Sequence, residues 1–304
     1  MNRRRTTETA VVMSANKNLP GIVAMVVAAA LFTVMDAGMK LLAEHYSPMQ
    51  VTALRSLASF PLVFVYVLWR SSLGAMLRGR WPWHMARGAL AVFMLASFVY
   101  GLQRLPMTET YAIFYVAPLL ITALSVPVLG ERVGAARWLA IGIGLTGVLV
   151  VLRPTGGSVL TLGGLAVVGS AVCYTISAIM IRILGRTDSM ENLMFWLISM
   201  LAIGSTALAY PHWQPVRAAD AWIVAGVGIT GFCAQWGVTF AFRHGEVSAV
   251  APFEYTSLVW TLGLDRLIWQ TSPDGFTLLG AAIIIAAGLF LVRRENVRVE
   301  AEHP

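Results

Sequence analysis

An aspartate and a lysine stand four residues apart in "LFTVMDAGMKLL" (31–42), inside an otherwise apolar run. On a helix that spacing puts both on one face. Arg55 and Glu254 interrupt two further apolar runs, each well in from the end. A charge inside such a run costs several kcal/mol unless it is paired, protonated or hydrated. Asp36 and Arg55 are close enough in sequence to pair across a short connection. That pair would hold two helices together, bind a charged or zwitterionic substrate group, or change partners during a cycle. Glu254 lies too deep to reach the interface. Proton coupling requires a carboxylate that loads and unloads a proton at working pH, and Glu254 and Asp36 are the candidates.

The elements that must position these charges are long apolar helices. Of 304 residues, 58% are hydrophobic and only 12% charged, too apolar for a soluble fold of this size. Runs long enough to cross a bilayer core recur at 21–43, 49–69, 83–103, 107–128, 136–152, 162–184, 190–210, 221–242, 247–269 and 275–292. The expected fold is therefore an all-α membrane protein of ten transmembrane helices. Pro- or Gly-bearing breaks such as "RLP" (104–106) and "TSPDG" (271–275) separate them. Arg3, Arg4 and Arg5 precede an apolar segment, as in a signal peptide, but a long polar stretch intervenes and the run to Leu42 is too long, so a retained first helix is expected.

Ten spans place both termini on one side. That side holds sixteen Lys and Arg, the other only Lys40, Arg104, Arg153 and Arg217, so both termini are expected in the cytoplasm. The net charge of +7 is spread over short loops, which reads as topology and argues against a nucleic-acid partner. Cys173 and Cys233 lie in apolar segments and give neither a disulfide framework nor a metal spacing.

Set against itself at an offset of 142, the chain aligns "GIVAMVVAAALFTVMDAGMKLL" (21–42) with "GGLAVVGSAVCYTISAIMIRIL" (163–184), Lys40 meeting Arg182 and Asp36 meeting Ala178. Tyr115 meets Tyr255 at 140, and "GVLVVLR" (147–153) meets "GLFLVRR" (288–294) at 141. Five helices per half is an odd number, so the second half is expected upside down relative to the first. Inverted repeats suit alternating access, with the substrate near the midplane.

Polar residues at helical spacing mark the faces that line a bundle interior. The fourth helix offers Thr108, Tyr111, Tyr115, Thr122 and Ser125 with Pro118, and the ninth Glu254, Ser257, Thr261 and Asp265. Ser97, Tyr100 and Arg104 on the third, and Gln235 and Thr239 on the eighth, extend the set. Trp69, Trp81, Trp83, Trp213, Trp222 and Trp269 fall near span ends, as interfacial belts do, whereas Tyr174 and Trp260 are deeper. The substrate-pathway candidates are Asp36, Arg55, Tyr100, Tyr111, Tyr115, Tyr174, Gln235, Glu254, Tyr255, Ser257 and Trp260. "GIGLTG" (142–147) lies inside a span with no strand before it, so no nucleotide site is read there. Neither HExxH nor GxSxG occurs, and the five histidines fall at loops, span ends or a terminus, so no enzyme is expected. No cofactor or metal is expected, and a small molecule and membrane lipid are the partners.

The stretch "AIFYVAPLLITALSVPVLGERVGAARWLAIGIGLTGVLVVLRP" (112–154) closely resembles the signature of EamA-domain proteins in the drug/metabolite transporter superfamily. "MDAGMKLLAEHYSPMQVTALR" (35–55), "APFEYTSLVWTLGL" (251–264) and "PDGFTLLGAAIIIAAGLFLVRRE" (273–295) resemble other helices of that family. The resemblance implies two inverted five-helix repeats, here 20–153 and 161–293, between cytoplasmic tails at 1–19 and 294–304. It also implies a bacterial inner-membrane secondary transporter of a small organic metabolite. An amino acid or related amphipathic compound, exported, is the first expectation. Uptake of a vitamin, nucleoside or S-adenosylmethionine-like metabolite is the alternative, and a passive channel a third. One departure stands out: Gln270-Thr271 occupies the place of a Gly-Glu pair equivalent to Gly130-Glu131, shortly after an unusual Asp265-Arg266.

Overall fold

The computed structural model describes residues 19–70, 80–130, 134–152, 161–270, 274–276, 278–283, 285–287 and 290. The N-terminal tail up to residue 18, the C-terminal tail, Glu131, Arg153, Thr271 and part of the expected tenth helix lie outside the described residues. Helices are the only regular structure among those described. They are α1 (Leu19–Leu42), α2 (Pro48–Arg70), α3 (Trp81–Leu102), α4 (Met107–Phe114), α5 (Val116–Leu129), α6 (Ala135–Leu152), α7 (Leu162–Leu184), α8 (Met190–Ala209), α9 (Ala221–His244), α10 (Val247–Val250) and α11 (Ser257–Ile268).

Among the described residues, seven stretches are long and apolar enough to cross a membrane: α1, α2, α3, Met107–Leu129, α7, Met190–His212 and Ala218–His244. Two shorter apolar helices cover Trp138–Gly147 and Leu278–Ala287. The 24 residues of α1 reach about 36 Å at 1.5 Å per residue, more than the thickness of a hydrocarbon core. Large apolar side chains on the outside, among them Val27, Val65, Ile203 and Leu267, give the bundle a surface suited to lipid. α7 and α8 begin at Thr161 and Ser189, whose hydroxyls accept from the backbone N–H of Gly164 and Asn192 at 3.1 and 3.2 Å.

The heaviest packing joins the two halves of the chain: α1 lies on α9, α2 on α8 and α3 on α7. Each pair is antiparallel. Gly21 at the start of α1 abuts Ala241 and Gly245, while Gly38 abuts Val227. Tyr66 donates to Glu191 at 3.4 Å, and ten residues earlier Ser56 meets Ser205 at 3.4 Å. His84 meets Asp188 just beyond α7, and Gly101 packs on Val167. The positions aligned at an offset of 142 also behave alike. Lys40 Nζ donates to the carbonyl of Leu105 at 3.0 Å, and Arg182 Nη1 to that of Arg243 at 2.8 Å. Each cation thus holds a backbone oxygen at or just beyond the C-terminal end of the third long helix of its own half, Lys40 just beyond α3 and Arg182 in the last turn of α9.

Close approach of α2 and α9 depends on Gly228. A Cβ there would lie 2.6 Å from Ala58 Cβ and 2.9 Å from the Ala58 carbonyl oxygen, which itself cannot swing aside. Ser59 Oγ also donates to the Gly228 carbonyl at 2.9 Å. Gly228→Ala is therefore expected to destabilise the protein by about 2 kcal/mol, the usual cost of overpacking. Gly226→Ala, with no atom within 4 Å of the added Cβ, is expected to be neutral or mildly stabilising. Melting temperatures of the two variants in the same detergent check this; equal melting temperatures would refute it.

The expected fourth and ninth helices are not continuous. The fourth breaks at Tyr115 between α4 and α5. Pro118 has no N–H to offer the carbonyl of Phe114, so the regular ladder lapses there. The ninth is one turn of α10, then a 3₁₀ segment Ala251–Thr256 with Pro252 in its first turn, then α11. The tighter winding fits the missing donor of Pro252.

The departure at Gln270 has a structural meaning. Gly130 ends α5 at φ 71, in the left-handed region. Gln270, its counterpart at offset 140, follows α11 at φ 53. The backbone turn is repeated without the glycine, at a cost of roughly 1 kcal/mol for a side-chain-bearing residue. Asp265 accepts from the N–H and hydroxyl of Thr108 at 2.9 and 2.5 Å, placing a carboxylate at the N-terminal turn of α4.

Candidate functional site

The breaks in the fourth and ninth segments face each other. Tyr115 and Tyr255 stand with ring centroids 5.2 Å apart at 75°. Tyr115 Oη lies 3.1 Å from Ser257 Oγ, and Tyr255 donates to the Tyr115 carbonyl at 3.4 Å. Ser257 Oγ in turn donates to the carbonyl of Glu254 at 2.5 Å. These contacts tie the two breaks to each other through side chains as well as rings.

From Tyr115 the cluster runs both ways. Tyr111 packs edge-on against Tyr115 at 6.0 Å and donates its hydroxyl to Asp36. Tyr174 donates to Glu254 Oε1 at 2.9 Å and packs against Phe114 with ring centroids 5.3 Å apart, tilted at 45°. Phe98 closes the circuit, 5.3 Å from Phe114 and 5.8 Å from Tyr111. Asp36, Tyr111, Tyr115, Tyr255 and Ser257 are all nearly or fully buried, and Glu254 is 9% exposed. Seven of the eleven pathway candidates thus form one connected cluster: Asp36, Tyr111, Tyr115, Tyr174, Glu254, Tyr255 and Ser257.

The remaining four stand apart. Trp260 is 48% exposed and has no ring contact with the cluster. Tyr100 lies near the end of α3 with the Arg104 guanidinium 3.5 Å over its ring, a partly exposed cation–π pair. Gln235 is buried but bonds its own helix, Nε2 donating to Thr239 Oγ1 at 3.2 Å. Arg55 does not form the expected ion pair with Asp36. Its Nε points to Met35 Sδ at 2.9 Å, and the Tyr111 hydroxyl holds the carboxylate instead. The two charges remain within electrostatic reach.

A second polar centre carries no signal in the sequence beyond its place at the start of an apolar run. His84 Nε2 is 2.7 Å from Asp188 Oδ2, and Arg87, 1% exposed, donates to the Leu193 carbonyl at 3.0 Å and to Ser177 Oγ at 3.3 Å. His84 stands at a span end, in the first turn of α3, but is buried there, and Arg87 is more than a topology-setting charge. Thr122 and Ser125 bond carbonyls of their own helix, at 3.0 and 2.9 Å. No group of three or more His, Cys, Asp or Glu capable of holding a metal occurs among the described residues.

The cluster brings carboxylates, phenols, a serine hydroxyl and aromatic faces together in buried surroundings. The model of the EamA-like transporter family matches residues 19–153 and again 161–293. A riboflavin transporter of Rhizobium johnstonii is 32% identical over 75% of the chain and 76% of its own length. The pseudopaline exporter CntI of Pseudomonas aeruginosa is 23% identical over 91% of the chain and 97% of its own. A solved crystal structure superposes with a TM-score of 0.71, covering 93% of this chain and 98% of that one at 23% identity, which establishes a shared fold.

Proposed function

Because the chain belongs to the EamA-like transporter family, with two matching repeats, we propose that it is a secondary carrier exporting a small amphipathic metabolite, amino-acid-like in character, across the bacterial inner membrane. Its spans number ten in this reading, in two inverted repeats at 20–153 and 161–293, with both termini cytoplasmic. The antiparallel packing of α2 on α8, which hold the same place in their halves, supports inversion. The observation that carries the site is the meeting of the two interrupted helices at Tyr115 and Tyr255. Discontinuous helices at the repeat boundary are where carriers of inverted-repeat design hold substrate. Asp36, Tyr111, Tyr174, Glu254 and Ser257 surround that point.

A second reading is uptake of a vitamin-like compound, favoured by the riboflavin transporter among the relatives. Purified protein in liposomes distinguishes the readings. A thermal-shift panel of amino acids, vitamins and nucleosides identifies the ligand, whose radiolabelled form is expected to show saturable flux and counterflow. Flux that does not saturate indicates a channel. No movement of any panel compound in either direction would sink the carrier reading.

A further inference from the structure

Each half of the chain ties its first helix to its fourth through a hydrogen bond between a tyrosine and a carboxylate, with the two roles exchanged. In the first half the carboxylate is Asp36 on α1 and the phenol Tyr111 on α4. In the second the phenol is Tyr174 on α7 and the carboxylate Glu254 on the 3₁₀ segment. Residue-by-residue alignment hides this correspondence, because Asp36 falls opposite Ala178 and Glu254 opposite Phe114.

The two contacts lie at different depths. Gly21 touches Val250, so these residues mark one level. Asp36 lies fifteen residues farther along α1, about 22 Å. Glu254 lies four residues beyond Val250 in a 3₁₀ segment, about 8 Å. The contacts are therefore roughly 14 Å apart along the bundle, with the rings of Tyr115, Tyr255 and Phe114 between them. Both are made in this structure.

We propose that these contacts are two opposed gates: Asp36–Tyr111 closes the side reached from the Leu42 end of α1, and Tyr174–Glu254 closes the side reached from its Leu19 end. Opening one while the other stays made exposes the aromatic region to one side only. The first gate has a standby partner. Arg55 donates to the thioether of Met35, a weak acceptor, and is placed to take the Asp36 carboxylate when Tyr111 departs. The inference rests on the alternating-access reading above and adds which contacts alternate.

The test uses protein with Cys173 and Cys233 replaced by alanine and one reporter, Leu105→Cys or Leu129→Cys, at partly buried positions toward the two ends. Labelling by a membrane-impermeant maleimide is measured in proteoliposomes of known orientation. Tyr111→Phe is expected to speed labelling at 105 and slow it at 129, and Tyr174→Phe to do the reverse, each by about fivefold, the population shift that one lost hydrogen bond produces. Should a phenylalanine variant fail to fold, Asp36→Asn combined with Arg55→Met, or Glu254→Gln, weakens the same contact. Rates that shift in the same direction in both variants, or in neither, overturn the proposal. Opposite shifts in a protein that carries no panel compound would uphold the gates and defeat the substrate reading instead.

Discussion

Glu254→Gln is expected to abolish accumulation driven by a pH gradient while leaving counterflow of the same substrate intact. The side chain is buried, the phenol of Tyr174 donates to it, and it stands where the ninth segment is wound as a 3₁₀ turn. Glutamine keeps the shape and still accepts the Tyr174 hydroxyl through its amide oxygen, but it cannot take up a proton. One proton moved per substrate across one pH unit supplies about 1.4 kcal/mol, enough for roughly tenfold accumulation. Without the titrating group the gradient and the substrate are no longer linked, and accumulation falls to none. Proteoliposomes loaded at one pH and diluted into another read this directly. Full gradient-driven accumulation by Glu254→Gln would remove the residue from the coupling step.

The second large effect concerns Asp36 and Arg55, which the structure places as buried neighbours that do not touch. Neutralising either leaves the other charge without compensation in a bundle interior, where losing one partner costs on the order of 2 to 4 kcal/mol. Asp36→Asn and Arg55→Met are each expected to lower stability by that amount in detergent. The double variant is expected to recover at least ~1 kcal/mol relative to the sum, because no uncompensated charge remains. Strict additivity would show that the two groups act independently and that Arg55 is not the standby partner of Asp36.

Much of the architecture is legible because bilayer thickness sets helix length and leaves its mark on hydropathy. The apolar runs that became α1, α2, α3, α7, α8 and α9 begin and end within a few residues of the helices. Hydropathy is blind to a helix that stays apolar while it breaks, so the fourth and ninth runs read as whole although Pro118 and Pro252 were in plain view. In the cluster, helical spacing picks out Tyr111, Tyr115, Glu254 and Ser257 because one face repeats every three or four residues, whereas Tyr174 and Tyr255 stand out by depth and repeat position. It did not find partners. Asp36 pairs with Tyr111 rather than with the nearer-in-sequence Arg55, since a carboxylate's choice depends on which helices the bundle brings together. Trp260 illustrates the converse: depth along a helix does not decide a side chain's contacts, and this one is 48% exposed and stands apart from the cluster. His84 and Asp188 lie far apart in sequence and meet only because α3 lies against α7.

The packing of α1 on α9, α2 on α8 and α3 on α7 has a consequence for biosynthesis. A chain inserted from its N-terminus places α1, α2 and α3 in the bilayer before any of their principal neighbours has been made. Arg55 and Asp36 must wait there with lipid or one another for company, and the glycine surfaces at Gly38 and Gly101 wait for Val227 and Val167. Maturation is then a joining of late-made helices onto early ones, slow in the way that contacts between distant parts of a chain are slow.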